Sequence, residues 1–258
     1  MLTPPALTAA VLRVADPAAD AEFYRRALDA AVTDGPRPGW VAVDAGWDTA
    51  LLLAPGDVEL PVYTDRWERQ GVIPILRTWD IDAAVKRLDD AGVTWINRPF
   101  EYDMKGHAWL GYFHDPAGQP IGVQQRMDDS VREEDLAALA RLGGPAPAVT
   151  GIGWVIFQAA DIVAAREFYA AIGWRERRGT EGFGYMMAVD DIVTLQIAFK
   201  GRTQDPARDL AAEPVLGLLS GVDTTAVVAA GGTVTDGPDG YRAFLDPEGH
   251  AWLFEETP

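Results

Sequence analysis

The sequence predicts an α+β protein of two tandem domains, each built from two strand–helix–strand–strand–strand units. Three observations carry this. First, Asp16…Glu22-Phe23-Tyr24 returns 145 positions later, without a gap, as Asp161…Glu167-Phe168-Tyr169. Second, Phe113-His114-Asp115-Pro116-Ala117-Gly118-Gln119 returns as Phe244-Leu245-Asp246-Pro247-Glu248-Gly249-His250, in the same order relative to the first marker. Third, single helical patterns alternate with several short apolar runs. Two ordered markers, both duplicated, mean two homologous halves.

The elements follow in order. Thr8 to Val14 reads as a strand. Asp16 is a helix N-cap with Pro17 at the first helical position, where a missing N–H costs nothing. The helix runs to about Leu28, with Ala21, Tyr24 and Leu28 on one stripe. Gly35-Pro36-Arg37-Pro38-Gly39 is a turn cluster, and strands follow at Trp40–Asp44 and Ala50–Leu53. The second unit has a strand from Val72 to Thr78 and a helix from Asp80 to Ala91, stopped by Gly92. Strands at Val93–Asn97, Trp109–His114 and Ile121–Gln125 complete it.

The first domain spans 1–127. Residues 128–148 are a linker, with capping-box spacing at Ser130…Glu133 and a short helix to about Leu142. The second domain, 149–258, repeats the plan. It has a strand at Gly151–Gln158, a helix at Asp161–Ile172, strands at Tyr185–Val189 and Val193–Phe199, and a strand at Val215–Leu219. A shorter helix at Asp223–Ala230 and strands at Thr233–Thr235, Tyr241–Leu245 and Ala251–Glu255 finish it. The 200–214 segment, with Gly201, Asp205 and Pro206, reads as a mobile loop.

Composition narrows the function. The absence of cysteine removes disulfides, thiol nucleophiles and cysteine–metal sites together. A net charge of −17 repels phosphate backbones, so no nucleic-acid partner is expected. No apolar run is long enough for a membrane span, and the N-terminus has no signal-peptide pattern; a cytoplasmic protein without a membrane partner is expected.

The markers and the four-unit plan resemble the vicinal oxygen chelate superfamily, which includes glyoxalase I, extradiol dioxygenases, fosfomycin-resistance enzymes and bleomycin-resistance proteins. The resemblance covers the chain apart from the linker. It implies that paired units form curved, cup-like mixed sheets with helices outside. It also implies metal slots on the first strand of a unit, usually His or Gln, and on the last, usually Glu. Counting from the markers puts the slots at Ala9, Trp154, Ile73, the Val215–Leu219 strand, Gly122, Leu253 and the Ala50–Leu53 strand, and only Gln196 offers an oxygen. A divalent ion needs several converging O or N ligands. No metal and no other cofactor is expected.

A metal-free cup leaves two readings open. In one, the chain binds a bulky aromatic small molecule, as in sequestering an antibiotic or handling a natural product. In the other it is a metal-free lyase, isomerase or cyclase, with His107 or an arginine as acid or base. His107 opens the strand that carries Trp109 and Tyr112; His114 and His250 belong beside turns. By strand alternation Arg13 faces the first cup, as do Arg77 and Gln124. Trp154, Gln158 and Glu255 face the second. Trp40, Trp109, Tyr112 and Gln196 complete the candidate ligand-binding set, each residue being a cup-lining group or an ordinary core or surface one. A small organic ligand and a monomer or homodimer are the expected partners.

Overall fold

The structure is a computed structural model that describes residues 5–46, 48–57, 72–102, 108–126, 149, 151–180, 184–188, 194–199 and 215–255. The linker helix and the 200–214 loop lie outside the described residues, as does His107. Four βαβββ units are present. The first comprises β1 (Ala6–Val14), α1 (Pro17–Leu28), β2 (Val32–Asp34), β3 (Val41–Gly46) and β4 (Thr49–Pro55). The second comprises β5 (Ile73–Arg77), α2 (Ile81–Asp90), β6 (Thr94–Tyr102), β7 (Ala108–His114) and β8 (Pro120–Arg126). The third comprises β9 (Gly151–Ala159), α3 (Ile162–Ala171), β10 (Arg175–Thr180), β11 (Gly184–Ala188) and β12 (Thr194–Phe199). The fourth comprises β13 (Leu216–Ser220), α4 (Thr224–Ala229), β14 (Thr233–Asp236), β15 (Arg242–Leu245) and β16 (Ala251–Phe254). The short strands β2 and β10 are absent from the sequence reading; Val32–Asp34 is polar and exposed and offers no alternation.

Each helix starts the same way. Asp16, Asp80, Asp161 and Asp223 are N-caps whose carboxylates accept backbone N–H bonds from the first turn. This answers the need of the first N–H groups, which have no partner inside the helix.

Two eight-stranded mixed sheets result. One runs β14-β15-β16-β13-β1-β4-β3-β2, the other β10-β11-β12-β9-β5-β8-β7-β6. Each sheet therefore joins two units, but the first unit pairs with the fourth and the second with the third. The central contacts are antiparallel, β1 with β13 and β5 with β9, and each central strand is flanked in parallel by the last strand of its own unit. The expectation that Arg13, Arg77 and Gln124 share a cup is corrected here: Arg13 is on the first sheet, Arg77 and Gln124 on the second. Trp154 joins the latter pair, and Glu255, just past β16, lies at the end of Arg13's sheet.

The helices and one face of both sheets enclose a common core that includes Leu12, Tyr24, Leu28, Phe113, Val123, Phe157, Tyr169 and Trp252. Within each half, the two markers meet inside this core. Tyr24 Oη donates to Asp115 Oδ2 at 2.7 Å, and Tyr169 Oη donates to Asp246 Oδ2 at 2.9 Å; both bonds are buried. They join the first helix of a half to the last turn of the same half. Trp252 Nε1 donates to Tyr169 Oη at 2.9 Å, and Glu248 accepts the N–H groups of Ala160 and Asp161 at 2.8 and 2.6 Å. Across the halves, Ile152 N–H donates to Thr49 Oγ1, Val72 N–H to the Val215 carbonyl, and Trp174 Nε1 to the Pro5 carbonyl.

Burial pushes the Asp115 carboxyl up to about 6, against the opposing pull of the Tyr24 hydroxyl and the Gln119 N–H. Because the folded state holds this proton more tightly than the unfolded chain, Asp115 favours folding fully below pH about 4. That contribution is lost as pH rises through about 6. The two-unit shift corresponds to about 3 kcal/mol. Denaturant unfolding at pH 4.5 and pH 7 should show this loss in the wild-type protein, and a shallower dependence in Asp115→Asn. Tyr24→Phe leaves a buried carboxylate oxygen without its donor and should cost about 2 kcal/mol, read as a lower denaturant midpoint.

Candidate functional site

The faces turned away from the common core form two separate surfaces, one per sheet. On the first sheet, Ala9, Val11, Leu52, Ala54, Leu216, Leu218, Ala243, Ala251 and Leu253 make one apolar cluster. Trp40 and Tyr241 lie over it, each immediately preceding a strand, with ring centroids 5.7 Å apart. Trp40 Nε1 donates to Asp239 Oδ2 at 2.8 Å, and the Arg37 guanidinium sits 4.4 Å from the Tyr241 ring centroid. Burial is the main cause that raises the Tyr241 phenol above its ordinary range. Asp239 reaches Trp40 from a left-handed backbone, φ 51° and ψ 33°, a conformation tolerated by Asp better than by most residues. Two turns, one from each half, thus clasp over this cup and fill it. Arg13 is half-buried and Glu255 exposed beside it. Trp40, expected as a ligand contact, is a closing residue.

The second sheet differs. Ile73, Ile75, Leu110, Tyr112, Trp154 and Ile156, all buried, line the face turned away from the common core, with Ile96 packed against them. Two polar side chains are buried on the same sheet: Arg77 and Gln124, each 2% exposed and directly opposite one another in the β5–β8 register. Trp154 is 7% exposed and pairs with Ile75. The structure thus brings together Arg77, Tyr112, Gln124 and Trp154 of the sequence-derived set. Gln158 and Gln196 are on the adjoining strands β9 and β12, and their side chains are outside the description. Trp109 is corrected: alternation turns Leu110 and Tyr112 to the face away from the common core, and Trp109 packs against the common core instead. His114 Nδ1 lies 2.9 Å from the Gly118 carbonyl, and His250 Nδ1 lies 2.8 Å from Asp246 Oδ2, so both serve their turns.

The register tests whether a divalent ion fits. On the first sheet the slot residues stand side by side on four strands: Ala50 beside Ala9, Ala9 beside Leu218, Leu218 beside Leu253. All four present carbon. On the second sheet Trp154 stands beside Ile75 and Ile75 beside Gly122. A Cβ on Gly122 would lie 2.9 Å from Ile75 Cδ1, so the Ile75 side chain already takes the space a carboxylate would need. Among the described residues no cluster of three His, Asp or Glu side chains is placed to hold a metal. Among the described residues, those at these positions do not fit a chelated ion.

Residues 9–124 match the family model of a glyoxalase-like domain. Glyoxalase I from Zea mays is similar in structure over 97% of this chain and 92% of its own, at 16% identity and a TM-score of 0.64. A protein named as a dioxygenase from Bacillus subtilis subsp. subtilis str. 168 is similar over 100% of this chain and 87% of its own, at 15% identity and a TM-score of 0.65. Residues 9–124 are thus a glyoxalase-like domain, and the chain as a whole has the tandem fold of these two proteins. No curated protein matches the sequence. Among the described residues no helix is long and apolar enough to cross a membrane.

Sequence reasoning missed Arg37, Asp239 and Tyr241, which are turn residues whose partners lie far along the chain. It also missed Gly153, where a Cβ would lie 2.7 Å from Arg77 Nε, so that the Arg77 side chain packs on bare backbone; its signal was a glycine inside an apolar strand. The clasp makes a graded prediction. Asp239→Gly removes the bond to Trp40 but suits the left-handed backbone, and should cost about 1 kcal/mol. Asp239→Ala removes the bond and adds backbone strain, and should cost about 2 kcal/mol. Urea unfolding followed by tryptophan fluorescence would check the order.

Proposed function

We propose that the chain binds a bulky, flat aromatic small molecule against the face of the second sheet turned away from the common core, without a metal, and so sequesters or handles an antibiotic or other natural product. The observation that carries this reading is the pairing of Arg77 and Gln124, both buried, on the sheet face that Ile73, Ile75, Leu110, Tyr112, Trp154 and Ile156 make apolar and aromatic. Binding sites for small organic molecules have this make-up: mostly apolar and aromatic walls with few, well-placed polar groups. The other sheet's equivalent surface is occupied by its own Trp40 and Tyr241. The row of carbon-bearing residues at the slots supports metal-independence and argues against the metal chemistry of a glyoxalase. Crossed pairing completes both sheets within one chain, so the proposed binding does not need a second copy, whether the protein is a monomer or a homodimer.

Mass spectrometry of small molecules released from the purified protein tests for a retained ligand. With a panel of fused-ring aromatic compounds, tryptophan fluorescence should be quenched on binding, and Trp154→Phe should remove most of that response. Recovery of the compound unchanged supports binding over turnover. An enzyme of the lyase, isomerase or cyclase kind would convert it and would lose turnover, with affinity kept, in His107→Ala.

A further inference from the structure

We infer that the Trp40–Asp239 clasp is an autoinhibitory lid. It holds the first sheet's cup shut with the chain's own aromatic side chains, and it opens locally to an uncharged ring compound while the sheet beneath stays intact. This goes beyond the binding reading above, which places its ligand against the other sheet, and it stands without that reading. The two turns that meet here come from opposite ends of the sheet. Trp40 precedes β3 and Tyr241 precedes β15, and each of these strands is second from its own edge of the eight. Their rings are nonetheless 5.7 Å apart, so the sheet curls and the turns close its mouth. Both turns are built alike. Each opens with Gly-Pro, at Gly35-Pro36 and Gly237-Pro238, and ends with a glycine followed by the aromatic residue. Each is closed on itself by a backbone bond, from Gly35 N–H to the Trp40 carbonyl at 2.9 Å and from Gly237 N–H to the Tyr241 carbonyl at 3.0 Å. Gly39 and Gly240, the residues just before the two aromatics, have φ of 78° and 81°, which glycine adopts without steric cost. Among the described residues no backbone hydrogen bond joins one turn to the other. The links are the Trp40–Asp239 bond, the ring contact and the Arg37 guanidinium over the Tyr241 ring. Separating the turns therefore breaks one hydrogen bond and no ladder.

The closed state also carries a penalty. Tyr241 Oη and Arg37 Nε are buried, and neither makes a hydrogen bond of normal geometry. Water would relieve both on opening. The face beneath the lid is made largely of small side chains, Ala9, Ala54, Ala243 and Ala251 among them, whereas the buried cluster of the second sheet contains no alanine. The bulk over the first cup thus comes from the turns and not from the sheet. Withdrawal of the two rings leaves a hollow whose buried lining is apolar throughout. Such a lining offers a charged group nothing in exchange for its water, so the compound that takes the place of the rings is uncharged.

Hydrogen exchange at the tryptophan indoles of the full-length protein tests the lid without a ligand. Trp174 Nε1 and Trp252 Nε1 donate to the Pro5 carbonyl and to Tyr169 Oη in buried bonds, and serve as references. The Trp40 indole N–H should exchange at least about 100-fold faster than either. Urea below the unfolding transition should barely change that rate, because a local opening exposes little surface. Exchange of Trp40 at the reference rate, or with the references' urea dependence, overturns the lid. Nile red, an uncharged fused-ring dye, then probes the hollow. Asp239→Gly keeps the left-handed backbone and loses the bond, and should bind the dye about fivefold more tightly than the wild type, since apparent affinity follows the open fraction. Asp239→Asn keeps an oxygen acceptor for Trp40 and should stay within about twofold of the wild type. Equal dye affinity in Asp239→Gly and the wild type overturns the autoinhibitory role, whatever the indole rates.

Discussion

The buried bonds from Tyr24 to Asp115 and from Tyr169 to Asp246 are what allow the rest of the fold to be arranged as it is. Each sheet takes one unit from each half, so the hydrogen-bonded ladders hold the halves to one another and not the units of one half together. Those units need a separate tie. The tyrosine supplies it from the first helix, and the aspartate receives it at the turn before the last strand. Both bonds are buried, and a carboxylate there without its donor is costly. This gives the duplicated markers a physical meaning: Glu-Phe-Tyr and Asp-Pro-x-Gly recur as a pair because their side chains touch.

Much of this was legible in the sequence, and the exceptions have identifiable causes. The N-cap aspartates, the helix stops and most strands follow from local chemistry, and the structure has them within a few residues. Strand alternation placed Arg77 on the same side of its strand as Ile75, and Trp154 on the same side of its strand as Ile156, though it assigned the two pairs to different cups. The pairing of the units was not legible, because the central strands β1, β5, β9 and β13 are apolar on both faces and nothing in them names a partner. Trp109 was misplaced by weighting its aromatic character over its parity with Leu110 and Tyr112. The clasp over the first cup was hidden for another reason. Trp40 and Asp239 are 199 positions apart, and each looks like an ordinary turn residue on its own.

The two halves have diverged around the shared tie. Asp246 is surrounded by donors: Tyr169 Oη, the N–H groups of Glu248 and His250, and His250 Nδ1 when that nitrogen is protonated. Asp115 receives Tyr24 Oη and the Gln119 N–H. Gln119, which stands where the second half has His250, is fully buried, and its side-chain amide makes no hydrogen bond. The second half has thus built a denser polar network at this turn than the first. The tolerance of such drift is expected where one strong, buried bond fixes the geometry and neighbouring contacts only add to it.

The cups have diverged in the same manner, and the crossed pairing decides the consequence. In one, a row of Ala and Leu side chains is sealed by turns from both halves, and burial there contributes stability. In the other, the first half contributes Arg77, Gln124 and Tyr112, and the second contributes Gly153 and Trp154. The cation comes from one half and both its seat and its neighbouring indole come from the other. Neither half alone would carry the proposed site, since Arg77 without Gly153 would have no bare backbone to lie on. Crossing the units therefore places the proposed site on the contact between the halves, which is the reverse of two independent copies of one pocket.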